Sequence, residues 1–355
     1  MARLDERLAR SPVRDGFVER QHFADAASSL WLEGELVHLE DLVLHDAHMD
    51  IRTPTHELTR ARAVLRARRR IFAQKPDWAL SRDGFLALTG RGGATPASGP
   101  KSRDGEGAGT ASVEPDVRDD AEDDLLAEEF AEIDAVLARS SKILSGAEVP
   151  GRKEETSRRD RPEPQNGLIY DLDWNEEERL GEWQAVLADS REWPLVLRAA
   201  ILLEAWSDIE VLQHAAWLGP LLVAALLRQE GLAGNHLACL HLGAKNIPRE
   251  RRRARNRRDR LLASLDAIHD AAVAGLKEHD RLVLAKSQME RRLRERRASS
   301  KLPDLVELVL SRPIVSTAMI QDRLKVTKQG ALNLVGELGL REMTGRGRFR
   351  AWGVV

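Results

Sequence analysis

The segment from Leu302 to Val355 limits this chain to fewer folds than any other part, because its punctuation is dense and consistent. Leu302-Pro-Asp-Leu-Val-Glu-Leu-Val-Leu-Ser-Arg312 spaces its apolar residues as a helix and is stopped by Pro313, which cannot continue one. Ser316 is placed to cap a second helix reaching to about Leu324. After the short turn Lys325-Val326, Thr327 caps a third, in which Ala331, Leu334, Val335 and Leu338 form a buried stripe. Two helices across so tight a turn fit a helix-turn-helix. Gly339 ends the third helix, and Leu340 to Val354 reads as a β-hairpin turning at Gly345-Arg346-Gly347, which would be a wing. The expected fold class is mainly α: a helical amino-terminal and central body with a carboxy-terminal winged helix-turn-helix.

With that stripe turned inward, Lys328, Gln329, Leu332, Asn333 and Gly336 face out on the third helix. Gln and Asn can pair bidentately with adenine, Lys can meet guanine or phosphate, and an exposed Leu can touch a thymine methyl. Lys325 and Thr327 lie at the turn, and Arg341, Arg346, Arg348 and Arg350 cluster on the wing, where guanidinium groups suit phosphate. From Lys301 to Val355 nine Lys or Arg stand against five Asp or Glu, a net charge of +4. These residues point to DNA as the partner. Winged helices also serve as protein-docking modules, and affinity that ignores salt would mark that alternative.

The whole chain is nearly neutral at −2, but its charge is segregated. Between Glu114 and Asp134 eleven acidic residues face the single base Arg118, whereas between Arg249 and Lys301 seventeen Lys or Arg face eight acids. The densest stretch, Arg249 to Arg260, includes Arg251, Arg252, Arg253 and Arg255 and suits phosphate, where each neutralised charge releases a counterion. The competing reading is a solvated helix face balanced by acids elsewhere. The acidic block could itself lie on this run.

A chain of 355 residues with 42% hydrophobic content has room for two or three compact units. The single cysteine, Cys239, excludes an internal disulfide and fits a reducing cytoplasm. No secretory leader is expected, and the longest apolar stretch, Trp217 to Leu227, is too short to cross a bilayer, so no membrane partner is expected. Composition divides the chain into an amino-terminal helical segment 1–89, a disordered linker 90–118, an acidic amphipathic helix 119–145 and a flexible linker 146–167. An apolar helical core 168–246, a basic helical connector 247–301 and the winged helix 302–355 follow. Within the core, helices are expected over Glu176 to Leu187, Leu195 to Trp206 and Glu210 to Gln229, the last kinked at Gly219-Pro220. The connector reads as two helices, Arg251 to Gly275 and His279 to Arg297.

Near the amino terminus Thr55 caps a helix with Leu58, Ala61, Leu65 and Ile71 inward, and its arginines 60, 62, 66 and 68–70 either extend a cationic surface or offset the acids of Glu33 to Asp50. His38, Asp41, His45 and His48 fall on one face if helical, a spacing that could hold a metal, although a polar helix face, with Leu36, Leu39 and Val43 opposite, is the favoured reading. Walker, Gly-x-Gly-x-x-Gly, His-Glu-x-x-His and Gly-x-Ser-x-Gly motifs are missing, and Cys239 lies in the apolar run Leu237-Ala-Cys-Leu-His241, so no catalytic set, metal or cofactor is expected.

The run from Ser300-Lys-Leu-Pro-Asp-Leu-Val-Glu-Leu-Val-Leu to Arg341-Glu-Met-Thr-Gly-Arg-Gly-Arg-Phe-Arg-Ala-Trp, with Glu40-Asp-Leu-Val-Leu-His-Asp46 and Gly275-Leu-Lys-Glu-His-Asp-Arg281, resembles a family of uncharacterised bacterial proteins. These join a domain of unknown function to a carboxy-terminal helix-turn-helix, and the resemblance implies DNA binding in gene regulation. A second similarity is to Fic proteins, which transfer nucleotides to hydroxyl side chains. Ser29-Leu-Trp-Leu-Glu33-Gly34 fits their inhibitory pattern, and His214-Ala-Ala-Trp-Leu-Gly219-Pro-Leu-Leu222 stands where their catalytic loop is expected. Only His214 and Gly219 agree with that loop; Leu218, Pro220 and Leu222 replace its metal-binding acid, Asn and phosphate-gripping Arg, which implies a scaffold without the group transfer. The leading expectation is a cytoplasmic DNA-binding transcriptional regulator, with a homodimer as the usual arrangement for paired half-sites. The alternative is a degenerate Fic-like module that modifies or binds protein.

Overall fold

A computed structural model describes residues 1–49, 53–90, 174–293, 301–344 and 350–354. The chain divides into two units, Met1–Phe85 with Tyr170–Val355, and Leu86–Ile169. Nearly all described residues belong to the first. The expected linkers and the acidic helix, Gly90 excepted, lie outside the described residues.

The first unit is mainly α, with one small antiparallel sheet near its carboxy terminus. The amino-terminal helices are α1 (Ala2–Ala9), α2 (Arg14–Glu33), α3 (Leu39–Asp46), α4 (His56–Ala73) and α5 (Arg82–Leu88), which runs past the unit boundary. After residue 173 come α6 (Glu176–Asp189), α7 (Leu195–Ile209), α8 (Leu218–Gln229), α9 (Leu240–Lys245), α10 (Arg249–Arg252) and α11 (Arg257–Leu293). The last elements are α12 (Leu302–Ser311), β1 (Val315–Ser316), α13 (Thr317–Leu324), α14 (Lys328–Leu338), β2 (Arg341–Glu342) and β3 (Ala351–Gly353).

Helix α2 is the central pillar, packed against α4, α9, α11 and α12. It buries Phe17, Phe23, Ala26 and Leu30 but also Arg20, Gln21, His22, Asp25, Ser28 and Ser29. A polar group taken from water costs stability unless it is paired, and Asp25 is paired on every side. Its carboxylate accepts from the Arg68 guanidinium of α4 and from the amide of Leu242 at 2.9 Å, and His241 Nδ1 lies 2.9 Å away. Cys239 Sγ donates to Gln21 Oε1 at 3.0 Å. The residues before and after the undescribed stretch therefore share one interior.

Several elements differ from expectation, each through tertiary packing. The connector holds one continuous helix from residue 257 to 293, because Gly275 does not end it: a side chain there would meet Leu4 Cδ2 at 2.5 Å, so this glycine lets α1 approach. Arg251 and Arg252 belong to the separate short α10. Residues 210–217 are loop, since Glu210 takes a left-handed conformation (φ 51) that ends α7, and Pro220 then falls in the first turn of α8, where a missing amide costs nothing, instead of kinking a longer helix. Strand β1 had no counterpart in the pattern. Three of the six α4 arginines offset acids: Arg60 holds Glu33 and Glu35, Arg69 holds Glu19 and Asp46, and Arg68 is fully buried on Asp25.

Candidate nucleic-acid interface

The reading head is built from local signals. Ser316 Oγ accepts from the Met319 amide at 3.2 Å and opens α13, and Lys325, left-handed at φ 53, closes it. Thr327 Oγ1 then accepts from the Gly330 amide at 3.2 Å and opens α14. Ala331, Val335 and Leu338 are buried as expected, whereas Leu334 is only half-buried. Leu332, expected to face outward, is half-buried too, so it presents less surface than the pattern suggested. Lys328, Gln329 and Asn333 are exposed. Gln329 Nε2 donates to Asn333 Oδ1 at 3.0 Å, so the two amides, one turn apart, are aligned on the solvent face. Lys325 pairs with Asp322 at 2.9 Å on a side chain 80% exposed, a contact that water leaves nearly neutral and that a phosphate could displace.

The wing is a three-stranded sheet in the order β1-β3-β2, with Val315 opposite Trp352 and Glu342 opposite Trp352 on the other edge. Arg341 is exposed at its start. Arg350 donates to Glu342 at 2.8 Å and lies 5.4 Å from the Trp352 ring centroid, so its charge is partly spent within the wing. Arg346 and Arg348, with the Gly345-Arg346-Gly347 turn, lie outside the described residues.

The head is docked on the body by contacts the sequence reading missed. Gly16 of α2 faces Leu310 so closely that a Cβ there would be 2.9 Å from the carbonyl oxygen. Arg20 donates to the Arg312 carbonyl, to Val309 O at 3.4 Å and to Glu278 at 3.0 Å. Arg281 donates to Val354 O at 3.1 Å, and Arg292 donates to Leu338 O at the end of α14. Arg312 pairs with Asp46 at 2.8 Å. Burial alone would raise the Asp46 carboxyl, but Arg69 and Arg312 outweigh it and hold it below its ordinary range; Arg281 and Arg20 do the same to Glu278. An arginine within α2, and Asp46, whose partners Arg69 and Arg312 are distant in sequence, were the faint signals of this seam.

The other candidates fall elsewhere. Arg251, Arg252, Arg253 and Arg255 do not share a surface with α14. Arg251 pairs with Asp266 at 2.7 Å, and the stretch of α11 from Asp266 to Arg292, which touches the head, rises about 39 Å at ~1.5 Å per residue. Part of the basic run is neutralised locally, since Arg257 and Arg260 bind Glu204 and Arg260 also binds Asp208. His48 lies beyond the end of α3 at φ 52 against Arg62, and His45 is buried; among the described residues no group of three His, Cys, Asp or Glu is placed to hold a metal. Burial pushes the Cys239 thiol up to about 12, which keeps it protonated. Leu218 and Leu222 are buried, and a side chain on Gly219 would strike the Trp206 ring at 2.2 Å, so the segment after His214 is a packed helix start without charge for an anion.

Comparison with known proteins matches two regions of the chain. Residues 302–355 match the model of an HTH DNA binding domain, and residues 168–294 match that of a protein of unknown function (DUF1612). The "Uncharacterized protein y4cF" of Sinorhizobium fredii is 54% identical over 358 residues, covering 99% of this chain and 93% of its own length. Among the described residues no helix is long and apolar enough to cross a membrane.

Proposed function

The chain belongs to the family of y4cF, a DUF1612 region followed by an HTH DNA-binding domain, and on that premise we propose that it is a transcriptional regulator that reads duplex DNA with α14. The observation that carries the reading is the exposed set Lys328, Gln329 and Asn333 on the first half of a helix whose opposite side is buried. Major-groove edges are distinguished by donor and acceptor pattern, and side-chain amides match adenine bidentately. In this reading Lys325, Thr327, Arg341, Arg346, Arg348 and Arg350 meet backbone or the neighbouring minor groove, which fixes register. Thr327, whose Oγ1 accepts from the Gly330 amide, keeps its O–H to donate to a phosphate oxygen.

The head is tied to α2 and α11 through Arg20, Arg281 and Arg292, and in this reading a change in the body reaches α14 through those contacts. We assign the chain no catalysis, place its action in the cytoplasm, and expect two copies on paired half-sites. Selection of bound duplexes from a random pool, followed by gel retardation at two salt concentrations, tests the proposal. Enrichment of a defined motif that is lost on shuffling is expected; free duplex at every protein concentration in dilute buffer refutes it.

A further inference from the structure

A cavity of about 590 Å³ opens between the end of α2 and the segment from α9 to α10, remote from the reading head along α11. Its size falls within the range of small-molecule sites, roughly 300 to 1,000 Å³. One wall is apolar: Trp31, 41% exposed, and Leu36, 70% exposed, both face it, an expensive arrangement for side chains with no occupant to cover them. The other wall is cationic, carrying Lys245, Arg249, Arg252 and Arg253. Glu33 and Glu35 also line the space, but both carboxylates are already bound by Arg60.

The cations have little to neutralise them. The ion pairs of the basic run pass through Arg251, Arg257 and Arg260, leaving Arg249 and Arg253 without one among the described residues. Arg252 spends only Nε, on the Ile247 carbonyl at 3.0 Å, which aims its two terminal amino groups away from that bond. Burial, with the neighbouring charges of Arg253 and Arg249, makes the Arg252 cation harder to keep, and the adjacent Glu250 offsets this only in part. Lys245 Nζ lies 5.3 Å from the Trp31 ring centroid, so the cationic and aromatic walls meet at one corner.

We propose that this cavity binds a nucleotide, with phosphate held by Arg249, Arg252 and Arg253 and the planar base laid against Trp31. Guanidinium groups grip phosphate oxygens through paired donors, and a base supplies the flat apolar surface that Trp31 and Leu36 lack. The inference does not depend on DNA reading, since binding is read without DNA.

Isothermal titration of the full chain with ATP, GTP, AMP, adenosine and inorganic phosphate tests it. Saturable one-site binding of at least one nucleotide is expected, with adenosine and inorganic phosphate each weaker. Arg249→Glu with Arg253→Glu should weaken that binding by about tenfold or more for each lost charge-assisted contact, and Trp31→Ala should weaken it while helix content stays unchanged. Both arginines are exposed and unpaired, so the double variant should fold. No saturable nucleotide binding up to millimolar concentration overturns the proposal, as does binding that survives the double variant. Loss of duplex affinity in that variant, with no nucleotide bound by the wild type, would assign these arginines to the DNA backbone and equally overturn it.

Discussion

Replacing Gln329 and Asn333 together by alanine separates recognition from stability. In the free protein the two side chains share one exposed hydrogen bond of 3.0 Å, and an amide pair one turn apart on a helix contributes only about 0.2 to 0.5 kcal/mol. Alanine is the better helix former at both positions by a similar amount, so α14 should remain intact. On DNA each bidentate amide contact discriminates its base by roughly 1 to 3 kcal/mol, a preference of about 5- to 150-fold. The double variant should therefore lose that ratio once for each contact between a selected duplex and its shuffled counterpart, measured by fluorescence anisotropy at one salt concentration, while its melting temperature stays within error of wild type. Because the expected loss of preference exceeds the expected change in stability several-fold, the two cannot be confused. An equal loss on both duplexes would refute the assignment of these residues to bases, and a large fall in melting temperature would refute the claim that they are structurally idle.

Arg341→Ala should instead weaken every sequence alike and flatten the dependence of log affinity on log salt by about one unit; Arg350→Ala, whose charge already engages Glu342, should do less, and the reverse order would count against the wing geometry. Gly16→Val forces a side chain against the Leu310 backbone, so urea unfolding should show a loss of about 1 to 3 kcal/mol, and an unchanged midpoint would mean that α2 and α12 are not in contact. Asp46 and Glu278 have folded pKa values below their ordinary 3.8 and 4.5, so their contribution is complete above those values and is lost as pH falls through the depressed ones. Urea midpoints should drop below about pH 4, less so for Asp46→Asn, and a pH-independent midpoint down to pH 2 or so contradicts the pairing. Cys239 should resist a maleimide in the native protein and react once unfolded; prompt native labelling would show that the thiol is not buried.

The sequence by itself determined the elements whose causes lie within a few residues. Ser316, Thr327 and Thr55 cap their helices by reaching three positions along the chain, and the spacing of Ala331, Val335 and Leu338 fixes which side of α14 is buried, hence which side can read a groove. Such signals are local, so no knowledge of the rest of the fold is needed to see them. Tertiary structure alone decided the partners of the arginines and the fate of the glycines. Arg20 meets Glu278 across 258 positions, Arg68 meets Asp25 across 43, and Gly275 stays helical because Leu4 needs its missing side chain. The stretch from Arg249 to Arg260 read as one cationic surface, yet packing spends Arg251, Arg257 and Arg260 on acids of α7 and α11 and turns Arg249, Arg252 and Arg253 toward a cavity. Charge is visible in a sequence, but its neutralisation depends on which distant carboxylate the fold brings within about 4 Å.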